Sequence, residues 1–371
     1  MPRIRMYSLS PASTKYSEAH SAAGDLARLT ALLVSDFDYD LPEELIAQEP
    51  PLQRGASRML VLSRQRQTFH DDLFANFHRY LHPGDCLVLN NTRVFPARLR
   101  ARRNHADGAE IEVFLVRARH DDESIWRALV RPAKRVRHGD TLLFDESLHA
   151  VVIEEGEFGE RILQFHAAAP LAGIFDRLGQ TPLPPYIHRM PDAADRERYQ
   201  TVFAEKRGSV AAPTAGLHFT EQMLDACREA GAGIARVTLH VGLGTFAPLR
   251  EQNLAKIQLH EEYFDIGEQD AAKMCAAKRL ICIGTTSVRT VETAALRGGL
   301  QRMQGETNLF ISPGFRFLAT DALLTNFHLP QSSLLILVSA FAGRDLVLAA
   351  YRHAVAERYR FFSYGDCMLI E

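Results

Sequence analysis

The sequence predicts an α/β protein: a main, barrel-like α/β domain into which a small antiparallel β-barrel domain is inserted. Three observations carry that expectation. Between about residues 60 and 168, short apolar or alternating runs follow one another, with turn residues about every eight to twelve positions. Beyond about residue 220, strand-like and helix-like runs alternate, which is the α/β pattern. Between the two, GQTPLPPYIHR is Pro-rich and extended, a hinge leading back to the first unit. The expected division is 34–59 plus 169–371 for the α/β domain and 60–168 for the inserted barrel.

A chain of 371 residues is long enough for two domains, or for one large domain with an insertion. With 46% hydrophobic and 24% charged residues, its composition is that of a soluble globular protein. No apolar run reaches the ~20 residues of a membrane span, and Leu334–Ala342 is too short for one. The N-terminus has no signal-peptide core, so a cytoplasmic protein is expected. The five cysteines form no C-x-x-C pair, which argues for reduced thiols rather than a disulfide framework or zinc site. None of the fifteen histidines sits in an H-E-x-x-H pattern, and no metal site is expected.

A net charge of −2 gives no global pull toward nucleic acid. Charge is uneven, however: Gly84–Asp140 holds twelve Arg/Lys against eight Asp/Glu. Arg98, Arg100, Arg102 and Arg103 form one cluster, and Arg131, Lys134, Arg135 and Arg137 a second. On a small β unit these are either phosphate contacts or a solvated face.

Residues 1–33, rich in Ser and Ala without apolar period, read as a disordered leader or an overlong start. Order is expected from Val34–Tyr39. LPEELIAQEP follows as a short helix with Pro42 near its start, ended by Pro50 and Pro51. SRMLVLS and CLVLNNTRV read as strands, separated by a Pro83-Gly84-Asp85 turn. ARLRARR, AEIEVFLVRA, SIWRALVRP, HGDTLLF, AVVIEE and RILQFH read as strands too. Thr220 caps a helix Glu221–Ala230 that Gly231 closes. Then come strand Ile234–Val241, helix 268–278, strand Leu280–Gly284, helix 288–297 and strand Leu309–Ser312. Helices at about 332–341 and 345–359 precede a last strand, Asp366–Ile370.

The chain is organised around Ser209–Thr220, SVAAPTAGLHFT. Pro213 and Gly216 exclude an ordinary helix or strand, and small side chains leave the backbone open. His218 arrives just before a helix N-terminus, where free N–H groups favour an anionic or oxygen-rich ligand. The stretch is either a binding loop or a tight connection whose histidine packs on a neighbour. His240 ends a strand that opens into GLGTFAP, where Gly242 and Gly244 form a flexible loop but a poor dinucleotide fingerprint. RLICIG ends in TTSVRTVE: Thr285, Thr286 and Ser287 present hydroxyls at a helix start, and Arg289 and Glu292 share a helix face. That is a capping arrangement or a carboxylate or phosphate site. Asn326 and His328 fall in a loop closed by Pro330, and His260 with Glu261 forms another acid–base neighbour pair. No serine nucleophile elbow, Walker loop or zinc signature is present.

Taken together, these stretches resemble the S-adenosylmethionine:tRNA ribosyltransferase-isomerase family of queuosine biosynthesis. The resemblance is carried by SDFDYDLPEELIAQEP, SRMLVL, PGDCLVLNNTRVFPARL, TPLPPYIHR, RYQTVFAEKRGSVAAPTAGLHFT, VTLHVGLGTFAPLR, GTTSVRTVE, FISPGFRF, LLTNFHLPQSSLLILVSAFAG and YRFFSYGDCMLI, in order from residue 35 to 370. It departs at residues 1–33, at Ser312, and at Leu259 and Glu261.

The resemblance implies an α/β domain with an inserted β-barrel and the site between them. It implies transfer of the ribosyl part of S-adenosylmethionine, as co-substrate, to 7-aminomethyl-7-deazaguanine in a tRNA anticodon. Isomerisation then gives epoxyqueuosine-tRNA, adenine and methionine. No metal or prosthetic group, no membrane and a monomeric state are expected. His218, His240 and His328 are the implied proton carriers, with Asp321 and Glu292 to orient them. Thr285, Thr286, Ser287 and Arg289 offer an anion site for the methionine carboxylate. Asn91, Thr92, Arg93, Pro213, Thr214, Gly216, Gly242, Gly244 and Asn326 complete the implied substrate site. The two basic clusters are the implied tRNA contacts. The rival readings are a non-catalytic RNA-binding protein on the same fold and a ribosyl transferase acting on a free small molecule.

Overall fold

Alternate residues of the same strands belong to different cores, and this places the main sheet between two covered faces. Leu60, Leu62, Cys86, Val88, Leu280, Cys282, Leu323, Met368 and Ile370 pack on one side. Met59, Val61, Leu87, Leu89, Ile281, Ile283, Leu324, Cys367 and Leu369 pack on the other. A period of two with both faces apolar is what a buried sheet requires. The computed structural model describes residues 32–105, 107–119, 122–242, 249 and 251–371. The expectation for residues 1–31 lies outside them.

The sheet has nine strands in the order Met303–Thr307, Glu262–Ile266, Gly233–Leu239, Asp85–Asn90, Arg279–Ile283, Ala322–Asn326, Cys367–Ile370, Arg58–Ser63 and Thr68–Leu73. Four central neighbours, Gly233–Leu239 to Ala322–Asn326, run parallel, with Val237 opposite Asn90 and Leu89 and Leu324 flanking Ile283. Helices Glu268–Ala276, Thr285–Leu296, Ser333–Ala342 and Arg344–Ala356 cover the first face. Helix Glu221–Glu229, capped by the Thr220 hydroxyl on Met223 N at 3.2 Å, covers the second with Phe74, Phe77 and Phe219. Among the described residues no single helix is long and apolar enough to cross a membrane.

The second unit is a closed six-stranded antiparallel barrel. Its strands are Arg98–Arg103, Glu110–Ala118, Ile125–Arg131, Thr141–Asp145, Leu148–Glu155 and Glu160–Ala167. They enclose a core of their own, with Leu99, Ile111, Val113, Leu142, Val152 and Leu163 pointing in. Helix Leu171–Leu178 joins that core, and Phe175 meets Trp126 edge-on at 5.2 Å. The chain leaves the main domain along Thr92–Val94 and returns along Lys206–Ser209, and these two segments pair in parallel.

Several expectations are corrected. The main sheet is open rather than barrel-like, with Met303–Thr307 and Thr68–Leu73 as its edges. The barrel begins at Arg98, not residue 60. Arg58–Ser63 and Asp85–Asn90 are strands of the main sheet, because both their faces are apolar and find cover there. LPEELIAQEP makes only a 3₁₀ turn, Glu43–Leu45, since its prolines leave no room for a helix. Leu309–Ser312 is not a strand, and the edge of the sheet is Met303–Thr307 instead. Thr68–Leu73 and Glu262–Ile266 were not foreseen as strands, the first because an edge strand has few buried positions to give it a period.

Candidate active site at the carboxyl edge of the parallel strands

In a parallel run, all carboxyl ends lie on one edge, where the chain leaves the sheet and backbone groups are free for a ligand. Here the four central strands end at Leu239, Asn90, Ile283 and Asn326. Each is followed by a stretch singled out in the sequence: His240–Gly242, Asn91–Arg93, Gly284–Ser287 and Phe327–His328. The Ser209–His218 stretch joins them. Val241 N donates to Ser209 Oγ at 2.9 Å and Val210 N to Val241 O at 3.1 Å. The Thr214–His218 turn packs on strand Ala322–Asn326. Gly284 is required for its φ of +86°, which side chains rarely adopt, since a Cβ there would make only ordinary contacts at 3.6 Å with Ala215 Cβ and Thr286 Oγ1. Gly216 is required for a different reason: a Cβ would meet Phe203 and Thr201 at 2.7 Å. Pro213 is buried beside it and Thr214 is half-buried.

His240 is fixed from three sides. Its Nδ1 is 2.8 Å from the Thr92 hydroxyl. Its ring lies along Tyr263, centroids 5.7 Å apart and 22° between planes. Gly208 leaves room for it, since a Cβ there would fall 2.6 Å from Nε2. Burial lowers the imidazole pKa to about 4, against the pull of Asp265. The two strand ends are tied by Asn90, whose amide donates to Leu239 O and accepts from Leu239 N, both at 3.0 Å. Asn91 is committed to the fold, accepting from the Thr238 hydroxyl at 2.7 Å and donating to Glu205 at 3.3 Å. Arg93 is exposed.

His218 is buried against Phe74, its Nδ1 2.8 Å from the Ser57 hydroxyl. Burial lowers its pKa to about 4, Asn326 pulls the other way, and Arg54 adds to the lowering. Thr286 Oγ1 is buried without a hydrogen-bond partner, and so is Arg289 Nη2. Buried polar atoms left this way are uncommon and mark places where a ligand or water completes the bonding. Ser287, in contrast, is spent on its own helix, donating to Ile283 O at 2.8 Å.

Beside this edge lies a small pocket of about 30 Å³, largely apolar, lined by Gly242, His260, Glu262, Arg289, Phe310 and Leu334 among others. Arg289 and Glu262 form a buried ion pair at one wall. Arg289 Nε donates to Leu309 O at 3.1 Å, and Gly242 N donates to Glu262 Oε1 at 2.8 Å. Arg289 Nη2 remains buried and unpartnered. Gly244 lies outside the described residues.

Other expected site residues are placed elsewhere. Asp321 precedes strand Ala322–Asn326 at the opposite edge of the sheet, accepting from Leu280 N at 2.8 Å. Asn326 is five steps further along the strand, about 16 Å away, so Asp321 cannot orient a histidine there. Glu292 is fully buried and accepts from Leu318 N, Ala319 N, Thr320 N and the Thr320 hydroxyl at 2.7–3.1 Å, leaving no capacity for substrate. His328 is buried, with its Nε2 2.8 Å from the Thr325 hydroxyl, and burial lowers its pKa to about 3. Its backbone O accepts from Tyr39 at 2.5 Å and its N donates to Tyr351 at 3.1 Å, which makes it a part of the packing. His260 and Glu261 are exposed, and their neighbour Glu262 is the buried carboxylate. Among the described residues no group of three or more His, Cys, Asp or Glu is placed to hold a metal ion.

The two basic clusters meet at one end of the barrel, where Arg103 Nη1 donates to Arg135 O at 2.8 Å. Arg102, Arg131, Lys134, Arg135 and Arg137 are exposed. Arg100 is paired with Glu110, and Arg98 is turned toward Leu183 O at 3.4 Å. The turn is held from beneath by the buried Arg161, which donates to Val136 O at 2.8 Å and Ala133 O at 2.9 Å.

Sequence reasoning missed Ser57, Arg54, Glu262 and Tyr263. Only the last two carry a local signal: in EYFDI the alternation turns Glu262 inward and Tyr263 outward.

A family model described as a queuosine biosynthesis protein matches residues 34–370. The S-adenosylmethionine:tRNA ribosyltransferase-isomerase of Solibacter usitatus is 54% identical over 352 residues, covering 91% of this chain and 99% of that protein. The protein of the same name from Syntrophotalea carbinolica is 50% identical, with the same coverage. A crystal structure of S-adenosylmethionine tRNA ribosyltransferase from Thermotoga maritima is 42% identical, covers 91% of this chain and all of that one, and superposes with a TM-score of 0.53. With motifs, fold and sequence in agreement over nearly its whole described length, this chain belongs to the queuosine-biosynthesis family of S-adenosylmethionine:tRNA ribosyltransferase-isomerases.

Proposed function

We propose that this chain transfers and isomerises the ribosyl moiety of S-adenosylmethionine onto 7-aminomethyl-7-deazaguanine in a tRNA anticodon, in the cytoplasm, releasing adenine and methionine. The observation that supports this beyond family membership is the gathering of four separate motif stretches on one strand edge, with unpartnered buried atoms on Arg289 and Thr286. A non-catalytic binder on this fold has no use for such atoms.

The sulfonium acidifies the C5′ hydrogens of the ribosyl group, so a nearby base or the substrate amine removes one. Adenine departs more readily when a ring nitrogen receives a proton. His240 and His218 serve these proton movements. Both are neutral at pH 7, so each presents one ring N–H and one lone pair. Thr92 and Ser57 occupy Nδ1 of the respective rings, which leaves Nε2 for the reaction. Arg289 Nη2 and the start of helix Thr285–Leu296 hold the methionine carboxylate, a match of cation and helix N-terminus to anion. His328 acts at one remove, by fixing the segment that follows Asn326 at the strand end. The exposed basic turn of the barrel contacts tRNA phosphates.

Incubating the protein with S-adenosylmethionine and tRNA bearing 7-aminomethyl-7-deazaguanine tests the reading. Adenine release together with a mass gain on the tRNA is expected. Adenine without modified tRNA would point to a free small-molecule acceptor or water, and neither product with retained tRNA binding would point to a binder.

A further inference from the structure

The barrel meets the main sheet at its antiparallel edge, strands Glu262–Ile266 and Met303–Thr307. Arg117 of the barrel pairs with Glu306 of that edge at 2.6 Å. An open cleft of about 600 Å³ runs beside this contact, with Arg117, Arg119, Arg127 and Ile125 on the barrel side and Tyr263 on the sheet side. Tyr263 points away from the core because its neighbours Glu262 and Phe264 point into it, and it is 39% exposed. One side of its ring is taken by His240, the histidine at the carboxyl edge. The cleft therefore has an aromatic platform, an apolar wall and cations, and it leads to the reaction edge.

We propose that an unstacked nucleobase of the tRNA lies in this cleft, stacked on Tyr263, with its flanking phosphates on Arg117 and Arg127. The proposal rests on the reading above that tRNA is the acceptor. Single-stranded RNA is bound by this combination: every base has a π-face for an aromatic ring, and guanidinium groups take the phosphates. Arg117 and Arg127 are each paired with a carboxylate, Glu306 and Glu160, and all four side chains are a quarter to a half exposed. Such pairs are weakly held, so a phosphate oxygen can take the carboxylate's place. His240 couples the platform to the chemistry, because a base on Tyr263 is separated from the histidine by one ring.

Steady-state kinetics with the full chain test this. Tyr263→Ala is expected to raise KM for tRNA by about ten-fold, while KM for S-adenosylmethionine stays within a few-fold of wild type. Tyr263→Phe and Tyr263→Trp should restore tRNA binding, since either supplies the π-face. Arg117→Ala should make log Kd for tRNA less steep in log salt by about 0.7. An unchanged tRNA KM in Tyr263→Ala overturns the proposal, and so does a loss confined to kcat, which would make the ring only a packing partner of His240. Wild-type turnover measured alongside separates the two readings: no turnover there sinks the acceptor assignment, whereas normal turnover with the variant unaffected sinks only the cleft.

Discussion

At the residue scale, burial decides what the histidines can do. His218 is held at about pKa 4 and His328 at about 3, both below the ordinary 6.5. Above pH 6.5 they are neutral in folded and unfolded chains alike, so their contribution to stability is whole. As pH falls below 6.5 the unfolded chain takes up the protons first, and stability is lost until the folded pKa is passed. The slope is about 1.4 kcal/mol per pH unit for each histidine. A flat melting temperature between pH 7 and 8, falling between 6.5 and 4, is expected by calorimetry, and His328→Gln should make that fall shallower. A fall of equal steepness in the variant would mean that His328 does not titrate this way. Arg289 makes a second residue-scale case. Removing it by Arg289→Ala strands the buried Glu262 carboxylate, which costs about 3–5 kcal/mol. Adding Glu262→Gln should recover much of that in a denaturant double-mutant cycle, and strict additivity would deny the coupling.

At the scale of elements, one carboxylate fixes a helix to a strand. Glu292 on helix Thr285–Leu296 accepts three backbone N–H groups from Leu318–Thr320, the segment that leads into strand Ala322–Asn326. Glu292→Ala leaves those donors buried and unpaired, and a loss of at least about 3 kcal/mol is expected in chemical denaturation. At a temperature where the variant is folded, KM for S-adenosylmethionine should be within a few-fold of wild type; a selective loss of substrate binding would return Glu292 to the site. In the sequence, the Arg289–Glu292 spacing correctly placed both on one helix, and the glycine before TTS correctly marked a strand end. It could not tell that one side chain faces a pocket and the other a loop. That depends on which segments lie across from the helix.

For the whole molecule, the paired segments Thr92–Val94 and Lys206–Ser209 set how the barrel is carried. Thr92 touches His240 and Ser209 bonds Val241, so the neck of the insertion is itself a part of the candidate site. Charge reversal at Arg131, Lys134, Arg135 and Arg137 should weaken tRNA binding and flatten its salt dependence by about 0.9 per lost contact, measured by filter binding over a salt series. Unchanged tRNA affinity would remove the turn from the interface. Adenine release from S-adenosylmethionine by a small acceptor should not respond to these changes.

The sequence by itself determined that there is a small all-β unit within an α/β chain, and it singled out VAAPTAGLHFT, LHVG, GTTS and TNFH as the candidate stretches. Those signals are local: apolar period, turn residues, caps and motif order. Only the tertiary structure decided that Arg58–Ser63 and Asp85–Asn90 serve the main sheet, because apolar faces do not name their partner. It likewise decided that Asp321 sits at the wrong edge and that Ser57, Glu262 and Tyr263 stand beside the site. Strand direction and order fix which ends meet, and those follow from pairings between segments tens to hundreds of residues apart.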